Sequence, residues 1–132
     1  DPVFANGQLL NCFANDDSHR YEGECGMSAT MLNTNDCSVA GILRAIDEGR
    51  FYATQGPEIR ELSLTDGVLH IACSPAQYII FYSNEVWIPN RTRALEGQTS
   101  ADYVVSPRES FVRVQVVAED GKSAWTSPIK LG

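Results

Sequence analysis

Asp16, Asp17 and His19 stand together in "CFANDDSHRY", Cys12 to Tyr21, directly behind a short apolar run. In an extended backbone, residues two apart point the same way, so the D-x-H of Asp17 and His19 presents a carboxylate and an imidazole to one point. Oxygen and nitrogen donors together suit Zn, Mn or Fe better than Ca. The competing reading of the same residues is a polar loop or a helix cap. A catalytic zinc takes about three protein ligands, and a two-metal site needs more. The one other histidine, His70, lies in "VLHIACS", where it reads as an ordinary strand residue.

The remaining chemistry-bearing residues weigh less. Ser28, Ser38 and the cysteines have no G-x-S-x-G context and no paired base, and "EGECG" is not a phosphate-binding glycine loop. No catalytic nucleophile and no organic cofactor site is assigned. Arg91 and Arg93 in "NRTRAL" offer either an anion-binding patch or two solvated cations. Trp87, Tyr103 and Trp125 offer either a platform for sugar rings or ordinary packing. Cys12, Cys25, Cys37 and Cys73 are spaced too widely for a CxxC motif, and free thiols are expected.

Elements must position these residues. "SVAGILRAIDEG" places Val39, Ile42, Leu43 and Ile46 on one helical face, with Ser38 as N-cap and Gly49 as stop, so a helix is expected near 39–48. Gly41 weakens it by about 1 kcal/mol relative to alanine, which makes the helix depend on docking its stripe. Upstream, "LLNCFA" reads as an apolar strand. Downstream, Asp66-Gly67 marks a hairpin between strands at about Ile59 to Thr65 and Val68 to Ser74. Further strands follow in "QYIIFYSN", "DYVVSP", "SFVRVQVVAEDG" and "KSAWTSPIKL". In "FVRVQVV", Val112, Val114 and Val116 alternate with Phe111, Arg113 and Gln115, the pattern of an antiparallel strand over a core.

The expected fold is mainly β: an immunoglobulin- or fibronectin-III-like antiparallel β-sandwich over 57–132, preceded over 1–56 by a short α/β remnant with one helix.

In this order, "LLNCFA", "NDDSHR", the helix "VAGILRAIDEG", "GRFYATQGPEI" and the closing "VRVQVVAEDGKSAWTSPIKL" resemble the C-terminal end of the PHP (polymerase and histidinol phosphatase) superfamily of metal-dependent phosphoesterases. The resemblance is closest to its two-domain members, whose chains continue into a β-sandwich. It implies that Asp17 and His19 are the last ligands of a cluster of two or three metals, with Asp16 in a supporting hydrogen-bond role. It also implies a phosphoester substrate and, as partner, an N-terminal barrel of the same polypeptide. The family's H-x-H motif and its other histidines and acids have no counterpart here, so the expectation is a C-terminal fragment that is inactive alone. The alternative is a non-catalytic β-sandwich module that binds carbohydrate or protein.

Composition narrows the partners. The 132 residues carry a formal charge of -7 with no Lys/Arg run, which argues against nucleic acid. No apolar run approaches the roughly 20 residues of a membrane helix. The start, "DPVFANGQLLN", lacks a secretory signal and an initiator methionine, as expected of a mature or excised piece.

Overall fold

The computed structural model describes residues 9–132. Residues 1–8, where the expected barrel remnant begins, lie outside the described residues. The chain is mainly β. Its strands are β1 (Ala29–Leu32), β2 (Phe51–Thr54), β3 (Ile59–Thr65), β4 (Val68–Cys73), β5 (Tyr78–Ser83), β6 (Thr92–Ala94), β7 (Ser100–Val104), β8 (Phe111–Val117), β9 (Ser123–Thr126) and β10 (Ile129–Lys130). Among the described residues two helices precede most of them: a single irregular turn, α1 (Tyr21–Glu24), and α2 (Val39–Asp47).

The strands form two antiparallel sheets. The larger runs β1-β2-β9-β8-β5-β6, with β10 also on β8, and the smaller runs β3-β4-β7. They enclose one core. Val112, Val114 and Val116 of β8 are buried with Leu69 and Ile71 of β4, as the alternation in "FVRVQVV" requires. Phe81 of β5 stacks on Tyr103 of β7 at a centroid distance of 4.6 Å, joining the two sheets. The Tyr103 hydroxyl donates to Glu109 Oε1 at 2.6 Å, and Glu109 Oε2 accepts the Ser106 amide, so this buried carboxylate is satisfied at both oxygens. Burial, followed by the contact with Glu109, pushes the Tyr103 phenol well above its ordinary pKa.

The Asp66-Gly67 hairpin forms where the sequence places it. Both residues take positive φ, 51° and 76°, and Thr65 pairs with Val68. The helix also forms. Ser38 Oγ accepts the Gly41 amide at 3.1 Å, and Gly49 at φ 67° ends the last turn. Gly41 has a second purpose: a β-carbon there would overlap the carbonyl and side chain of Asp36, so only glycine fits where the 34–38 turn crosses the helix.

Three features differ from expectation. "LLNCFA" belongs to neither sheet. Ala14 instead exchanges two hydrogen bonds with the Thr30 hydroxyl, at 2.9 and 3.0 Å, and Phe13 stacks on Phe51 at 4.5 Å. A side chain of β1 thus supplies the partner that a strand ladder would have supplied. Second, β1 pairs with β2, and β2 pairs with β9, so backbone hydrogen bonding runs across the expected boundary at residue 56. Third, the α2 stripe is only partly docked. Gly41 and Ala45 are buried, whereas Val39 and Leu43 are 75% and 55% exposed.

Candidate functional site

The loop from Asn15 to Ser28 is built around two carboxylates. Asp16 accepts the Gly26 amide on one oxygen and the Ser28 amide on the other, each at 2.5 Å, which closes the loop into a ring. Those amides, Ser28 foremost, hold the Asp16 carboxyl below its ordinary pKa despite some desolvation. Inside the ring, Glu24 Oε2 accepts the His19 amide at 2.7 Å and the Arg20 amide at 3.0 Å. Asp16 thus holds the loop closed through the Gly26 and Ser28 amides.

Asp17 and His19 are exposed residues on this ring. The Asp17 amide donates to Asn15 Oδ1 at 3.0 Å, and Asp17 itself stands at φ 50°. That left-handed conformation corrects the premise of an extended D-x-H: simple strand alternation does not aim the two side chains here. The Asn15 side-chain acceptor competes with an extended backbone at Asp17 and wins, which is the usual behaviour of Asx residues in turns. The donor chemistry, one carboxylate and one imidazole, suits a divalent transition metal. The donor number falls short, because no group of three or more His, Cys, Asp or Glu able to hold a metal occurs among the described residues.

Glu24 escaped the sequence reading. Its signal was an acid five residues after a histidine, inside a segment with two glycines, and only the folded loop shows which amides it meets.

The other candidates separate. His70 Nδ1 lies 2.6 Å from Asp102 Oδ1, and Ser63 is the cross-strand neighbour of His70 on its other side. The three residue types are those of a nucleophilic triad, but no hydrogen bond joins Ser63 to His70 among the described residues. The row lies on the face of the smaller sheet turned from the core, so it is a cross-strand Asp-His pair. Arg91, expected to be exposed, is half-buried and donates to Ser83 Oγ at 2.9 Å and to the Glu85 carbonyl. It is a brace of its own loop. Trp87, Tyr103 and Trp125 share no platform: Tyr103 is buried, Trp125 is half-buried on β9, and Trp87 stands 92% exposed on the loop between β5 and β6. All four cysteines are free, and burial pushes the Cys73 thiol up.

Compared with protein-family models, curated proteins and solved structures, the chain matches none. No helix among the described residues is long and apolar enough to cross a membrane.

Proposed function

We propose that this chain is the C-terminal portion of a PHP-like metal-dependent phosphoesterase. Asp17 and His19 are its last ligands to a cluster of divalent Zn, Mn or Fe, and its sandwich, of immunoglobulin or fibronectin-III type, is an accessory domain. The reading starts from the resemblance in "NDDSHR", "GRFYATQGPEI" and "SAWTSPI". The observation that carries it is the exposure of large apolar side chains in the N-terminal part of the chain: Leu10, Phe13, Met27, Val39 and Leu43 all face solvent. A surface of this kind suits coverage by another domain, and in this reading the cover is the N-terminal barrel of the same polypeptide. Metals in such a cluster activate water and clamp the attacking and leaving oxygens of a phosphoester. Two donors cannot hold that cluster, so the chain alone is inactive.

The test is metal analysis and phosphoester hydrolysis on the natural polypeptide that carries this chain. The expected outcome is about two or three divalent metals per polypeptide, with metal and activity both reduced in Asp17→Ala and His19→Ala. A polypeptide that purifies in active form without transition metal would sink the proposal.

A second reading, a non-catalytic module for carbohydrate or protein, is favoured by Trp87 alone. Its exposed indole is the kind of flat aromatic that anchors sugars and protein partners. A glycan array and a pull-down, each run with native chain and Trp87→Ala, test it. Signal lost on Trp87→Ala supports it, and silence from the native chain in both assays removes it.

A further inference from the structure

β3 is an end strand of the smaller sheet, paired among the described residues with β4 on one side only. The ladder beyond it fixes which of its backbone groups are used. The Cys73 amide donates to the Thr99 carbonyl and the Val105 amide to the Gly67 carbonyl, each at 2.8 Å. Leu69, Ile71 and Cys73 of β4 therefore bond toward β7, and the alternate residues bond toward Glu61, Ser63 and Thr65 of β3. That leaves the amides and carbonyls of Leu62 and Leu64 pointing out from the edge. Their side chains share the face of the fully buried Ile71 and Leu69 opposite them, yet stand 36% and 42% exposed. Edge strands are commonly blunted by bulges, proline or lysine. Here the one register shift lies between Ile59 and Glu61, and Glu61 to Thr65 runs on without proline or lysine.

We propose that β3 pairs with β3 of a second copy of this chain, antiparallel about a two-fold axis at Ser63, joining the two smaller sheets into one continuous sheet. The stretch "IRELSLTD" is self-complementary in that register. Leu62 meets Leu64 of the second copy, and the reverse, so the outward amides and carbonyls satisfy one another and the exposed leucines cover one another. Arg60 comes level with Asp66 of the second copy at each end. An axis at Leu62 would set Arg60 against Leu64, and an axis at Glu61 would set two carboxylates face to face, so charge selects the register. The contact of Arg60 with Glu58, 3.4 Å long and exposed on both sides, holds the guanidinium only weakly. An edge contact of this size is small, and the dimer is half-formed on the order of 0.1 mM.

The experiment is sedimentation equilibrium of the chain from about 10 μM to about 1 mM, in about 0.15 M salt to screen the net charge of -7. The mass is expected to rise toward twice 14.5 kDa. Arg60→Glu sets like charges at both ends of the contact and weakens association about tenfold, and Ser63→Glu sets one like pair on the axis and weakens it about fivefold. Unchanged protection of the β8 amides in both variants shows that the sandwich remains folded. In a mixture of isotope-labelled and unlabelled native chains, methyl contacts between Leu62 of one copy and Leu64 of the other confirm the register. A chain that stays monomeric at about 1 mM overturns the proposal and leaves the edge to a strand of another protein. A dimer that lacks the Leu62–Leu64 contacts, or that is indifferent to both variants, overturns it as well.

Discussion

Two regions of this chain use the same kinds of residue to different ends. Between Leu9 and Arg50, leucine, methionine, valine and phenylalanine side chains largely face solvent, and the backbone is pinned by side-chain acceptors such as Asp16, Glu24, Thr30 and Ser38. From Phe51 onward, most of the same apolar types are sealed between two sheets, with Leu62, Leu64, Val86 and Val104 left exposed, and the backbone is held by strand ladders. An apolar side chain contributes stability only when water is removed from it. Pattern shows which residues can be buried; contact with a second layer determines which ones are.

The largest expected effect tests that contrast directly. Phe81→Ala, at the Phe81–Tyr103 stack, costs about 3–5 kcal/mol in urea unfolding of this chain. Leu43→Ser, on the exposed stripe of α2, shifts it by about 0.5 kcal/mol or less. A Leu43→Ser loss above about 2 kcal/mol would mean that the helix face is covered in solution and would break the comparison. The same variant in a polypeptide that carries the proposed N-terminal barrel sharpens it: a cost that rises well above that of this chain by itself marks the face as a domain contact.

A smaller effect is expected at Gly41. Alanine is the better helix former by about 1 kcal/mol, yet its β-carbon would overlap Asp36. Gly41→Ala therefore destabilises α2 by about 1–3 kcal/mol, seen as faster exchange of the α2 amides. Stabilisation would show that the turn from Thr34 to Ser38 yields freely.

The smallest effect is one of pH. The Asp36 carboxylate accepts the Ser38 amide at 2.9 Å, and its contacts with Ser38, side chain first and then backbone, hold its pKa below the ordinary value. A depressed folded pKa contributes stability that is present above the unfolded pKa and is lost as pH falls through the folded one. Amides at the start of α2 should therefore lose protection below about pH 4, before those of β8. Loss in both at the same pH would show that the two regions unfold as one.

Much of the fold was legible, for local reasons. Asp66-Gly67 specifies its own turn, because both residues tolerate positive φ. The valines of β8 specify a buried face through a period of two. Ser38 and Gly49 bracket a helix whose stripe has the right spacing. Each of these signals lies within a few residues of the structure it dictates.

What escaped depends on partners distant in sequence. β1 carries no strand signal of its own and forms because β2 offers it an edge, while "LLNCFA" has the signal and forms no strand, since Thr30 satisfies Ala14 first. The candidate site divides in the same way. The types and spacing of Asp17 and His19 pointed to a carboxylate and an imidazole for a metal. The left-handed turn at Asp17 and the Glu24 bonds to His19 and Arg20 depend on a closed loop that no local pattern encodes.

The sequence by itself determined the β-rich class, the helix with its cap, the main hairpin, the valine face and the donor chemistry of Asp17 and His19. The tertiary structure alone decided which apolar faces are covered, that the larger sheet crosses residue 56, and how the candidate ligands are held. Periodicity and turn chemistry are properties of neighbouring residues. Coverage, sheet order and loop closure arise only when distant segments meet and one set of hydrogen bonds displaces another.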